Sequence, residues 1–159
     1  MSALANVLGF PPFSIPFGDV ARIHFMQLPI VFAGLALGAV AGGIVGFIGA
    51  TVSAFVFPPP SGPNPFILVG NALLGFFTGL FYFRLRGIKR PIIPQFLAVF
   101  GAIIIQFPFT YISDVYLMSI PSANLLFPIL PFLFVEDIIC LLIAHVILFR
   151  TDIEHMLGK

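Results

Sequence analysis

The chain has 159 residues, 60% of them hydrophobic and 8% charged, with a mean hydropathy of +1.15 and a formal net charge of +1. A soluble domain carries roughly 25% charged residues, so this composition excludes a water-soluble globule and points to an integral membrane protein. The length suits one transmembrane domain over residues 1–159, an all-α compact bundle of about six short helices. A β-barrel is excluded because its strands alternate apolar and polar residues, and no basic cluster argues for nucleic acid.

The first apolar stretch, Met1 to Phe10, is too short to span a bilayer, and "PPFSIPFG" breaks it before a loop "DVARIH". It lacks the basic residues that open a secretory signal. The block Gln27 to Phe57 would be about 46 Å long as one helix, against a hydrocarbon core of about 30 Å. The run "GAVAGG" (38–43) therefore predicts two short helices joined by a tight turn. "PPPSGPNP" (58–65) cannot continue a helix and reads as a rigid loop.

Phe66 to Phe83 forms the next span and ends in "RLRGIKR" (84–90). A further span runs from Pro91 to about Tyr111, followed by a loop that holds Asp114, Tyr116, Ser119, Ser122 and Asn124. The last span begins near Leu126 or Pro131 and ends at Phe149, with a polar tail beyond it. Arg84, Arg86, Lys89 and Arg90 share one loop, and Arg150 and Lys159 fall on the same side two spans later. The positive-inside rule makes that side cytoplasmic. The expected protein is a multi-pass cell-membrane protein in contact with lipid, with both termini inside.

Gly34, Gly38, Gly42 and Gly46 recur at four-residue spacing, and Gly75 and Gly79 repeat the device in the next span. Small residues at this spacing let helix backbones approach closely in lipid. Two uses remain open: packing inside the bundle, or a docking face for a partner built on Gly38, Gly42 and Gly46.

Polar residues inside a membrane are costly unless they meet each other, water or a ligand. Gln27, Asn71, Gln106, Tyr111, Asn124, Glu136 and Asp137 all map to outward halves of spans or to outward loops. Asn71, Gln106 and Glu136 come from three helices to a similar depth, which makes them candidates for a ligand site. Neighbours on a helix point about 100° apart, so Glu136 is expected in the pocket and Asp137 on another face, bonding a neighbouring helix. Helix-to-helix bonding and a neutral, protonated spectator role remain the alternatives for Glu136, and packing the alternative for Asn71. His24 and Tyr116 read as loop residues, His145 as a packed histidine, and His155 as a solvated tail residue.

No P-loop, HExxH or GxSxG motif occurs, and no His/Cys pair has metal-ligand spacing. The sequence thus predicts no enzyme, no cofactor and no bound metal. Cys140 is the single cysteine, so neither an internal disulfide nor a thiolate cluster can form.

The segments "IHFMQLPIVFAGLALGAVAGGIVGFIGATVSAFVFP", "FILVGNALLGFFTGLFYFRLRG" and "LPFLFVEDII" resemble, in order and texture, the substrate-binding S components of energy-coupling factor (ECF) vitamin transporters. The resemblance covers about residues 20–90 and the final helix. It implies six helices around one vitamin-like small molecule taken from outside, with the outer loop after the first helix as a lid. It also implies a transmembrane coupling protein and two ATPase subunits as partners. That family couples through an alanine motif on its first helix, which Ala3 and Ala5 do not reproduce. Coupling through the glycine face is the substitute expectation. A structural or assembly subunit of a membrane complex is the alternative function. A membrane enzyme using Glu136 or Asp137 as acid or base is a third reading.

Overall fold

The structure, a computed structural model, describes residues 1–17, 21–56, 62–90, 92–119, 121 and 129–150. Its elements are α1 (Ser2–Leu8), β1 (Ser14–Phe17), β2 (Ala21–His24), α2 (Gln27–Leu37), α3 (Ala39–Gly49), α4 (Phe66–Leu85), α5 (Ile92–Ile112) and α6 (Leu130–Arg150). Four helical stretches are long and apolar enough to cross a membrane: Ala39–Val56, Phe66–Leu85, Ile92–Leu117 and Leu130–Leu148. With the shorter α2 and α1 they make the expected six-helix membrane bundle.

The expected break between α2 and α3 falls at Gly38, whose φ of 98° and ψ of −179° suit glycine alone. The chain reverses there and α3 lies back against α2, so that a Cβ on Gly42 would come within 2.8 Å of the Gly34 Cα. Both helices then pack onto α4 through glycine. A Cβ on Gly34 would sit 2.7 Å from the Gly75 carbonyl oxygen, and one on Gly46 would lie 2.6 Å from the Asn71 carbonyl carbon. Gly38, Gly42 and Gly46 are buried in these contacts. The row expected as a partner interface is therefore filled by the chain's own α4, because backbone against backbone leaves it no free surface.

One loop of the sequence reading is ordered differently. Where "PPFSIPFG" and "DVARIH" suggested irregular chain, β1 and β2 pair antiparallel, with Ser14 opposite His24 and Pro16 opposite Arg22. A two-stranded ribbon leaves each strand a free edge, where proline's missing N–H is tolerated. The short α1 docks on α3 near Gly49: the Asn6 side-chain amide donates to the Ile48 carbonyl at 2.9 Å and accepts from the Val52 N–H at 2.9 Å.

The core is built from Ile30, Val31, Leu35, Leu74, Val99, Leu141 and their small neighbours Ala98, Ala102 and Ala144. Val40, Ile44, Ile104, Leu142 and Val146 are exposed on the outer surface, the pattern that lipid permits and water penalises. Two contacts fix which ends lie together. His145 Nδ1 and Gln95 Oε1 meet at 2.7 Å near the basic loop 84–90. At the other end the Asn64 amide donates to Asp114 at 2.9 Å. A cysteine at Gly87, where nothing lies within 4 Å, should resist labelling by an impermeant reagent on intact cells, and one at Ser119 should label. Cys140 is buried, so it adds no background. Labelling of the Gly87 variant from outside would reverse the orientation.

Candidate functional site at the end opposite the basic loop

Most of the buried polar side chains lie toward the Asn64–Asp114 end. Gln27 begins α2, Asn71 lies near the start of α4, Gln106 near the end of α5, and Glu136 and Asp137 in the first third of α6; all five are buried. Tyr111 is half-buried beyond Gln106 on α5. Asn124 lies outside the described residues, as do Ser122 and His155.

Glu136 finds a partner that the sequence reading did not give it. Its carboxylate lies 3.0 Å from Nδ1 of His24, the last residue of β2, with exposures of 2% for the glutamate and 18% for the histidine. Burial disfavours a charge on His24, but the Glu136 carboxylate beside it outweighs that. The His24 pKa therefore rises above its ordinary value of 6.5. Glu136 thus joins the hairpin to α6. The signal was present in the sequence: a lone outer-loop histidine and a lone acid pair, in a chain with so few charges, are natural partners.

Asp137, expected on another face of the helix from Glu136, is buried at 0% exposure, as Glu136 and Cys140 are. Among the described residues neither carboxylate oxygen has a hydrogen-bond partner, so the expected bond to a neighbouring helix is not found there. A side of α6 wide enough to be enclosed by several elements buries residues 100° apart together.

The amides share that condition. Asn71 spends its Nδ2 on the Ile67 carbonyl of its own helix at 2.9 Å, and its Oδ1 has no partner among the described residues. Gln27 Oε1 and Gln106 Oε1 are likewise buried without a partner among the described residues. Each unpaired buried group costs about 1–3 kcal/mol, and here four helices carry that cost at one end of the bundle.

The rim is held by a residue that the sequence reading passed over. Asn64 donates its backbone N–H to the Ala54 carbonyl at 3.1 Å and its side-chain amide to Asp114, and accepts from the Phe66 N–H at 3.0 Å. It thereby ties the end of the α3 segment, the start of α4 and the turn after α5. An asparagine just before a helix is a capping signal; the surrounding prolines masked it.

The family model of the S component of ECF-type riboflavin transporters matches residues 1–151. The chain belongs to that family. A solved structure described as "Structure and mechanism of the S component of a bacterial ECF transporter" has the same fold, with a TM-score of 0.58 and 21% identity over 99% of this chain and 93% of that one. No curated protein matches the chain. The S component is thus a multi-pass membrane subunit of a transport system. Of its expected site residues, Gln27, Asn71, Gln106 and Glu136 are buried at one end and Tyr111 borders them.

Proposed function

We propose that this S component captures riboflavin, or a close flavin, from outside the cell in the region bounded by α2, α4, α5 and α6. It then delivers the flavin to a transmembrane coupling protein and two ATPase subunits for ATP-driven uptake. The observation that carries the reading is the set of buried, unsatisfied oxygens on Gln27, Asn71 and Gln106, at the end opposite the basic loop. A flavin ring offers an imide edge that alternates acceptor, donor and acceptor, and a side-chain amide complements it by donating and accepting at once. The apolar ring suits a site set among apolar helices. Glu136 belongs to the site through its approach to His24, which closes the hairpin over α6. Tyr111, and Asn124 in the following loop, complete the proposed set.

Quenching of flavin fluorescence by the purified protein tests the reading directly. The wild-type chain should bind riboflavin tightly, and Asn71→Leu or Gln106→Leu should weaken it by about tenfold or more, the loss of one buried hydrogen bond. Absence of binding by the wild-type protein would sink the flavin assignment. Uptake into cells should require co-expression of the partner subunits, because no nucleotide-binding motif is present in this chain.

A further inference from the structure

Arg84, Arg86, Lys89 and Arg90, four of the seven Lys and Arg residues of the chain, fall where α4 ends and the chain turns toward α5. We propose that this turn is a binding surface for the headgroups of anionic phospholipids, of the phosphatidylglycerol type, in the leaflet that it meets.

The depth of the turn in the membrane is set by α4. That helix has 20 residues, which at 1.5 Å each make about 30 Å, the thickness of the hydrocarbon core. It begins at Phe66, beside the Asn64–Asp114 rim, so Leu85 falls at the opposite boundary of the core. The next helix starts at Ile92. Six residues span at most about 20 Å when fully extended, so going out and back they reach about 10 Å from the core. Turns and bends over 86–90 shorten that further. The cations are thereby held at the level of the lipid phosphates.

The surface has the character that this level demands. Arg84, Arg86, Lys89 and Arg90 are all exposed. Phe83 and Ile88, each 38% exposed, lie among them, and the Arg86 guanidinium sits 5.0 Å from the centre of the Phe83 ring. Long basic side chains can lay their stems along apolar groups and present the charge to the headgroup layer. Basic clusters directly beside a span attract anionic lipid in this way.

The charges are also unanswered within the described chain. Its described acids, Asp114, Glu136 and Asp137, are buried toward the other end, and among the described residues no acid pairs with these four cations. Four like charges so close together repel one another unless counter-charge is supplied. An acidic protein surface could supply it too, but headgroup phosphates are the anions already present at this depth.

The experiment reconstitutes the full chain in nanodiscs of phosphatidylcholine alone, or of phosphatidylcholine and phosphatidylglycerol in equal parts. Nanodiscs expose both faces, so inverted insertion cannot disturb the comparison. Wild-type protein should melt roughly 5–10 °C higher in the anionic discs and lose most of that gain at high salt. Arg86→Gln/Lys89→Gln/Arg90→Gln should lose most of the gain, with unchanged melting in phosphatidylcholine. Arg86→Lys/Arg90→Lys, which keeps the charge, should retain it. Equal melting of the wild-type protein in both lipids would overturn the proposal, and that comparison needs no variant to fold. So would a full gain in the Gln variant, which would place the lipid response elsewhere on the chain. Inorganic phosphate that reproduced the gain in phosphatidylcholine discs would assign the surface to a free anion instead. A Gln variant that lost only its assembly with partner subunits, and no lipid response, would assign it to a protein.

Discussion

Gly46→Leu should prevent the bundle from folding, and Gly46→Ala should lower its melting temperature and its ligand affinity together. A Cβ at this position would lie 2.6 Å from the Asn71 carbonyl carbon and 2.9 Å from the Ala72 nitrogen. Real Cβ contacts are not that short, and the obstructing atoms are helix backbone, which cannot rotate aside as a side chain can. The axes of α3 and α4 must separate, and neighbouring contacts at Gly42 and Gly75 open with them. Overpacking of a filled core costs about 1–3 kcal/mol out of a typical total of about 5–15 kcal/mol, and a leucine asks for more room than that range describes. Because Asn71 itself supplies the opposing backbone, the displacement also moves a proposed ligand group. Gly87→Ala is the control, as nothing lies within 4 Å of that position. Unchanged melting and binding in Gly46→Ala would mean that α3 and α4 do not approach as closely as their glycines imply.

Loss of His24 is expected to be the most damaging single change outside the glycine seam. His24→Leu leaves the Glu136 carboxyl enclosed without the histidine that lies 3.0 Å from it, and breaking one side of a buried ion pair costs about 3–5 kcal/mol. The double variant His24→Leu/Glu136→Gln should recover much of that loss, because the uncompensated charge is then gone; a double variant worse than either single one would show that the two residues act separately. The pair also predicts a pH dependence. Burial alone would lower the His24 pKa, yet Glu136 raises it above 6.5 in the folded protein. The folded protein therefore holds the proton more tightly than the unfolded chain. The stabilisation is complete below the ordinary histidine range and is lost as pH rises through the raised value. Thermal melting of the wild-type protein should fall across that window, and His24→Gln should flatten the fall. An identical slope in both proteins would assign the effect to another group. Since His24 ends β2 and leads directly into α2, the same protonation also strengthens the tie between the hairpin and α6.

The sequence by itself determined the membrane class, the bundle and the break near Gly38. Each follows from a quantity that a string of residues carries without three-dimensional help: the scarcity of charge, the length of an apolar run against bilayer thickness, and the spacing of residues that lack a side chain. It also brought Asn71, Gln106 and Glu136 to one depth, because helical rise converts position in a span into height. Height is not direction, however. Whether Gly42 and Gly46 meet a partner or α4 depends on which neighbour occupies that side, and the reversal at Gly38 settled it by laying α3 along α4. The hairpin escaped notice because its prolines discourage a strand by propensity, while antiparallel pairing across a short ribbon depends on two segments meeting. The burial of both adjacent acids was hidden for the same reason. An angular offset of 100° separates two residues on an isolated helix, but α6 is enclosed widely enough to bury both. Only the tertiary arrangement, by bringing His24 to within 3.0 Å of Glu136 and not of Asp137, distinguished one carboxylate from the other.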